Sequence, residues 1–196
     1  MSARIPPGFA ELWIRFNTPG DLENMYCAVG IDLAPGESGT QTLAETLDTT
    51  AEASLVPMLS NQYTVGGGHV IFGQDGGDIR FDSASTPTAG GQTGAGLPPN
   101  TAVLARKLTA TGGRRGRGRM FIPGIPEGNV GSDGQLVAAY RTTAQTAVAD
   151  MMADLVALPQ VDGLVLLHDT APFTPTPITG FSVELYVATQ RRRLRP

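Results

Sequence analysis

Four arginines fall within six residues of this chain, Arg114, Arg115, Arg117 and Arg119, with glycines between them. A second group, Arg191, Arg192, Arg193 and Arg195, closes the sequence. A guanidinium grips phosphate or carboxylate oxygens through paired, planar hydrogen bonds, which a lysine ammonium cannot do. The chemistry open to these residues is the holding of an anionic surface, either nucleic acid or the acidic face of a protein. Other reactive side chains are sparse. His69 and His168 have no second histidine, cysteine or carboxylate at metal spacing, and His168-Asp169 reads as a strand-end pair. No Gly-x-Ser-x-Gly elbow carries a nucleophile. The single cysteine, Cys27, excludes an intrachain disulfide or a cysteine zinc site, and its apolar setting, Met25–Val29, suits a small buried thiol. Gly66–Gly68 has no Lys-Ser/Thr after it and leads into a strand pattern, so it reads as a bulge or bend, not a phosphate loop. Asp75–Asp78 (DGGD) lacks the downstream acidic ligand that a calcium loop needs. No catalytic residue, cofactor or metal is expected.

The charges are unevenly spread along the 196 residues. Residues 1–105 hold three basic and eleven acidic groups, a net of −8, whereas residues 106–196 hold eleven basic and seven acidic groups, a net of +4. The chain is therefore electrically polar from end to end. Charged residues are only 16% of the total, with Gly 25 and Pro 15, so much of the surface should be uncharged Thr, Ser and Gly. That composition suits a subunit of an assembly. An acidic net charge of −4, and arginines without interleaved aromatics for base stacking, weigh against nucleic acid and towards an acidic neighbouring copy. Nucleic-acid binding through the Gly-Arg segment stays as the alternative.

Residues 9–16 (FAELWIRF) and 25–33 (MYCAVGIDL) alternate like strands and flank turn chemistry, which reads as a hairpin. Ser38-x-x-Gln41 has the pattern of a capping box, followed by Leu43, Leu47, Ala51 and Leu55 along one helical stripe that Pro57 stops. Residues 62–65, 69–72 and 78–81 read as short strands, and 83–100 as a Gly/Ser/Thr/Pro connector. A similar order follows. Residues 101–109 and 119–122 read as strands around a loop at 111–118, and Ser132-x-x-Gln135 is a second capping pattern. Leu136, Tyr140, Ala144, Ala147, Met151, Leu155 and Leu158 then mark a helix ended by Pro159, with strands at 163–167 and 180–188.

These patterns predict an α+β fold, mostly antiparallel sheet with two amphipathic helices over about 40–56 and 133–157. The recurring order leaves two readings open: a duplicated ββαββ unit, or two similar helices in unrelated halves. The organisation expected is a first half at 1–82, the connector at 83–100, and a second half at 101–196 with the Arg-rich hairpin loop and a basic tail. Trp13, Phe16, Leu47, Leu55, Phe72, Leu104, Tyr140, Met151, Leu155, Leu166 and Phe181 are the expected core. No apolar stretch near either end reaches the ~20 residues of a membrane span, and the opening residues lack the layout of a secretory signal.

Residues 97–124 (LPPNTAVLARKLTATGGRRGRGRMFIPG) and 176–193 (TPITGFSVELYVATQRRR) resemble a group of small virion proteins of tailed bacteriophages. The shared features are a strand, a Gly-Arg-rich turn closed by an aromatic residue and Pro-Gly, and a C-terminal strand ending in Thr-Gln-Arg-Arg-Arg. The resemblance covers about half the chain. It implies a non-enzymatic structural protein of the head, neck or tail, made in the host cytoplasm and located in the virion. The charge split, −8 over residues 1–105 and +4 over residues 106–196, adds the expectation of a homo-oligomer whose copies meet head to tail, within a virion with other phage structural proteins. Arg114, Arg115, Arg117, Arg119, Arg191, Arg192 and Arg193 are the expected contacts to a partner subunit or to nucleic acid.

Overall fold

Alternation in the first segment becomes β1 (Phe9–Asn17), which buries Ala10, Leu12, Ile14 and Phe16 completely and leaves the odd-numbered positions half-buried on the other face. β1 pairs antiparallel with β2 (Met25–Leu33), Phe9 opposite Asp32 and Phe16 opposite Met25. After them come α1 (Gln41–Leu55), β3 (Thr64–Val65), β4 (His69–Phe72), β5 (Ile79–Asp82) and β6 (Thr88–Ala89). The second half supplies β7 (Thr101–Thr111), β8 (Arg114–Pro123), α2 (Ala138–Val156), β9 (Val161–Leu166), β10 (Thr176–Pro177) and β11 (Phe181–Val187). This computed structural model describes residues 5–17, 25–98, 101–111, 114–166, 176–178 and 180–187.

The described strands form two sheets, and every strand pairing is antiparallel. The larger runs β10-β9-β2-β1, and along its far side β1 carries two short branches, β3-β6 and β4-β5. The smaller runs β11-β7-β8. The fold is α+β, with mostly antiparallel sheet and two helices. Within each half the second hairpin strand, the first hairpin strand and a strand after the helix lie in the same order, β2-β1-β4 and β8-β7-β11. β9 departs from that scheme: it crosses into the other half and pairs with β2, Gly30 opposite Val165. The two halves are thereby stitched through backbone hydrogen bonds as well as through side chains.

The helices meet each other over the core. α1 buries Leu43, Leu47, Ala51 and Leu55, as the four-residue spacing requires, and α2 buries Tyr140, Ala144, Ala147, Met151 and Leu155. Tyr140 O–H donates to the Met58 carbonyl at 2.7 Å, which satisfies a buried hydroxyl deep in the helix interface. Eight of the eleven expected core residues are buried; Trp13, Leu166 and Phe181 are half-buried. Trp13 and Phe16 stand an odd number of residues apart, so a strand cannot turn both to one face, and the core takes Phe16. Among the described residues no helix is long and apolar enough to cross a membrane.

Both helix starts differ from the expected ones. α1 is capped by Thr40, whose Oγ1 accepts the Leu43 N–H at 3.1 Å, and not by Ser38. Gly39 presses so closely on the Phe72 ring that a Cβ there would collide with it, so the chain passes Phe72 before the helix begins. Gln41, freed from the capping role, donates to Glu45 and to the Asp82 carbonyl. Ser132 caps nothing because Asp133-Gly134 makes a local turn instead: the Gly131 N–H reaches the Gln135 carbonyl and Asp133 Oδ1 accepts the Gln135 N–H. α2 consequently begins at Ala138.

The connector is fastened along the described part of its length. Gly90, Gly91 and Gln92 donate backbone N–H groups to Tyr63, Val56 and Leu59, and Leu97 donates to Ile125. Tyr63 O–H reaches the Leu97 carbonyl at 2.6 Å. Its low-complexity residues have few side chains to pack, so hydrogen bonds, to its backbone and from a few polar side chains, hold it.

Candidate interaction surface

β7 and β8 pair in unbroken register from Ala102 opposite Pro123 to Thr111 opposite Arg114. Arg114, Arg115 and Arg117 are therefore strand residues, which corrects the loop expected at 111–118, while Arg119 lies in a strand as expected. A ladder uses backbone N–H and C=O groups, so alternating glycine and arginine do not end it while β7 continues alongside. Only Gly112 and Gly113 separate the strands, and they lie outside the described residues. Arg191, Arg192, Arg193 and His168 also lie outside them.

Register fixes which positions share a face. Arg115, Arg117, Arg119 and Phe121 have one parity on β8, and Arg114 has the other. Opposite Arg119 stands Arg106 on β7, and opposite Arg106 stands Ser182 on β11. The reverse face turns Val103, Ala105, Met120, Ile122 and Val183 into the core, and Arg106 and Arg119 stand on the opposite face; the side chains of Arg114, Arg115 and Arg117 lie outside the described ones. On that outer face Arg106 and Arg119 are exposed, and Arg106 lies 3.4 Å from Glu184 with both side chains about half exposed. Phe121 and Tyr186 pack edge to face, centroids 5.0 Å apart, and Tyr186 is 38% exposed. Aromatic rings do share this face with the arginines, which corrects the expectation drawn from the linear sequence. The three strands carry six basic residues and one acidic one, Glu184.

The acidic counterpart lies on the other sheet. β5 pairs only with β4 among the described residues, and Asp75, Asp78 and Asp82 on this hairpin are all exposed. The hairpin's single cation, Arg80, is taken up by Asp82 through Nε at 2.9 Å and Nη2 at 2.6 Å.

A second cluster, absent from the sequence reading, is buried under the connector. Asp48 on α1 is wholly buried; its Oδ2 accepts the Gly68 N–H at 3.1 Å and the Ser85 O–H at 2.8 Å, while Oδ1 has no hydrogen-bond partner. Glu52, one turn on, is 6% exposed and accepts from the Thr88 side chain and backbone. Burial, helped by the nearby Asp48 charge, pushes the Glu52 carboxyl above its usual range against the pull of the Thr88 hydrogen bonds. Gly66–Gly68 is the expected bend, and here glycine is obligatory. A Cβ on Gly66 would strike the Glu52 carboxylate, and one on Gly68 would strike the Trp13 carbonyl. Glu52 also lines a cleft of about 480 Å³ with Thr49, Ser85, Thr86 and Thr88. The clue available in sequence was two carboxylates four residues apart, each one position beyond a stripe residue, Leu47 and Ala51.

On the outer face of the larger sheet, His69 stacks on Trp13 at 5.6 Å and 8°, with Tyr26 edge-on to both. Burial, with Arg80 nearby, lowers the His69 pKa and keeps the imidazole neutral. Cys27 is buried on β2. Among the described residues no three His, Cys, Asp or Glu side chains gather as a metal site would need. The arrangement can thus hold anions on the three-stranded sheet and cations at the β4–β5 hairpin. No family model matches the chain, and no curated protein or solved structure matches it.

Proposed function

We propose that the chain is a non-enzymatic structural subunit of a tailed-bacteriophage virion that self-associates head to tail, at the neck or tail or on the capsid. The observation that carries this reading is the segregation of charge: six basic residues against one acidic on β7, β8 and β11, and three exposed aspartates on the β4–β5 hairpin. The basic ribbon of one copy is complementary to the acidic hairpin of the next. Such a contact joins two different patches, so it propagates, and it closes into a ring where the rotation between copies permits. Arginine–carboxylate pairs set the orientation and register, and apolar area around them supplies net affinity. Phe121 and Tyr186 offer part of that area, and the apolar groove of about 610 Å³ between α2 and β9 offers more. The resemblance of residues 97–124 and 176–193 to small virion proteins supports the setting in a particle.

The test is sedimentation velocity of the wild type and of R114A/R115A/R117A across a salt series. The wild type should assemble at low salt and dissociate as salt rises, and the variant should stay monomeric with an unchanged circular dichroism spectrum. A variant that assembles normally, but binds DNA more weakly with a shallower salt slope, would overturn this reading in favour of a nucleic-acid contact. The aromatic pair beside the arginines is the feature that favours that second reading.

A further inference from the structure

We propose that Tyr26 of one copy seats in the apolar groove between α2 and β9 of the next and anchors the head-to-tail contact, a step that rests on the assembly proposed above. Exposed apolar surface divides in the same way as charge. The large exposed hydrophobic residues among those described are Tyr26, Val137, Val156, Tyr186 and Val187. Four of them belong to α2, its entry or β11, and Tyr26 stands apart on β2. It stands beside the acidic hairpin: its ring lies 5.6 Å from that of His69 on β4, and Asp82 on β5 is directly opposite His69. The groove borders the basic sheet, because α2 packs against β11 and β10 touches β7. A contact that brings the hairpin of one copy to the ribbon of the next therefore brings Tyr26 towards the groove.

Its neighbours hold Tyr26 ready for such a contact. Trp13 and His69 stack across β1 and β4, and Tyr26 leans edge-on against both rings, at 72° and 67°. His69 is buried, so the stack is a firm base, while Tyr26 keeps more than a third of its surface exposed. A ring braced in place loses little freedom on binding. Tyrosine also suits the centre of an interface, because its body is apolar and its hydroxyl can stay in water. The same bracing gives a role to Trp13 and His69, which the core does not use.

The groove suits an aromatic ring. Met152 and Val156 of α2, Gly163 and Leu164 of β9, and Pro177 and Ile178 of β10 line about 610 Å³, a volume in the range of clefts that take small organic molecules. No charged side chain is among the described lining residues, so the groove does not select an anion or a cation. Gly163 leaves its floor open, since a Cβ there would meet nothing within 4 Å. Met152 is unbranched and polarizable, and it adapts to a ring that enters. A second copy is the occupant because the charges beside Tyr26 and those beside the groove are opposite in sign. They orient one copy on the next without a third component.

Sedimentation equilibrium across a salt series tests the docking with Tyr26→Ala, Tyr26→Phe and Ala153→Gln. The last places a polar side chain in the groove from an exposed position on α2, so it acts independently of how the β2 variants fold. Y26A and A153Q should each lower the association constant roughly 10- to 100-fold. The salt slope should not change, since salt does not screen an apolar contact. Y26F keeps the ring and should associate as the wild type does. Y26A/A153Q should lose no more than either single variant, because both act on one contact. Trp13 is the sole tryptophan, so its emission should shift to the blue as the wild type assembles and stay unshifted in A153Q at the same concentration. Y26A and A153Q that associate as strongly as a salt-sensitive wild type, or losses that add in full, would overturn the docking and leave the head-to-tail reading standing. A wild type that stays monomeric at low salt would overturn both.

Discussion

Leu155 and Val156 are consecutive on α2, yet the first is wholly buried and the second is 45% exposed. Truncating each to alanine tests the helix face directly. Leu155→Ala removes three carbons from the core, a transfer loss of about 2.5 kcal/mol at ~0.8 per methylene. The cavity left in the core cluster adds to that, giving about 2–5 kcal/mol in all. For a domain of this size each kcal/mol lowers the melting temperature by about 2–4 °C, so the expected fall is roughly 4–20 °C. Val156→Ala should change stability by less than about 0.5 kcal/mol. Urea unfolding followed by circular dichroism measures both, provided the m-value stays constant. A loss below about 0.5 kcal/mol at Leu155, or equal losses at both positions, would mean that α2 presents a different face to the core.

Three further outcomes follow from particular contacts. Thr40→Ala should cost about 1 kcal/mol as the α1 cap is lost, whereas Ser38→Ala should be nearly neutral; the reverse ranking in thermal unfolding would restore Ser38 as the cap. Gly68→Ala should leave little folded protein, because its Cβ has no room beside the Trp13 carbonyl, and near-normal unfolding would contradict that packing. His69 titrates below its usual 6.5 in the folded state, so the unfolded chain takes up the proton first and stability declines as pH falls through the mildly acidic range. His69→Phe keeps the stack on Trp13 and should remove that share of the decline; an unchanged pH profile would show that His69 is not its source.

The fold was legible wherever one face of an element is buried. Period two in residues 9–16 and period four from Leu43 to Leu55 gave β1 and α1 almost to the residue, because a half-buried element writes its exposure into its sequence. The crossing of β9 to β2 was not legible, since pairing partners distant in sequence leave no local signal. The arginine ribbon was misread as a loop because glycine and arginine have little strand preference of their own; the pairing of β7 carries them into the sheet. Phe121 and Tyr186 lie 65 positions apart and meet only once β11 pairs with β7. Asp48 and Glu52 carry no local sign of burial, because the cover over them comes from Ser85 and Thr88, more than 30 residues away.

Head-to-tail assembly through opposite charges is tested most directly by exchanging the charges. R114E/R115E/R117E/R119E turns the ribbon net negative and D75R/D78R turns the β4–β5 hairpin net positive, so each variant alone meets itself with like charge and should sediment as a monomer. Mixed in equal amounts, the glutamate ribbon of one meets the arginine hairpin of the other, and the unaltered faces complement each other as before. Sedimentation velocity of the mixture at low salt should therefore recover the assembly that neither variant forms alone. Variants that assemble singly as the wild type does, or a mixture that stays monomeric, would contradict assembly through these two faces.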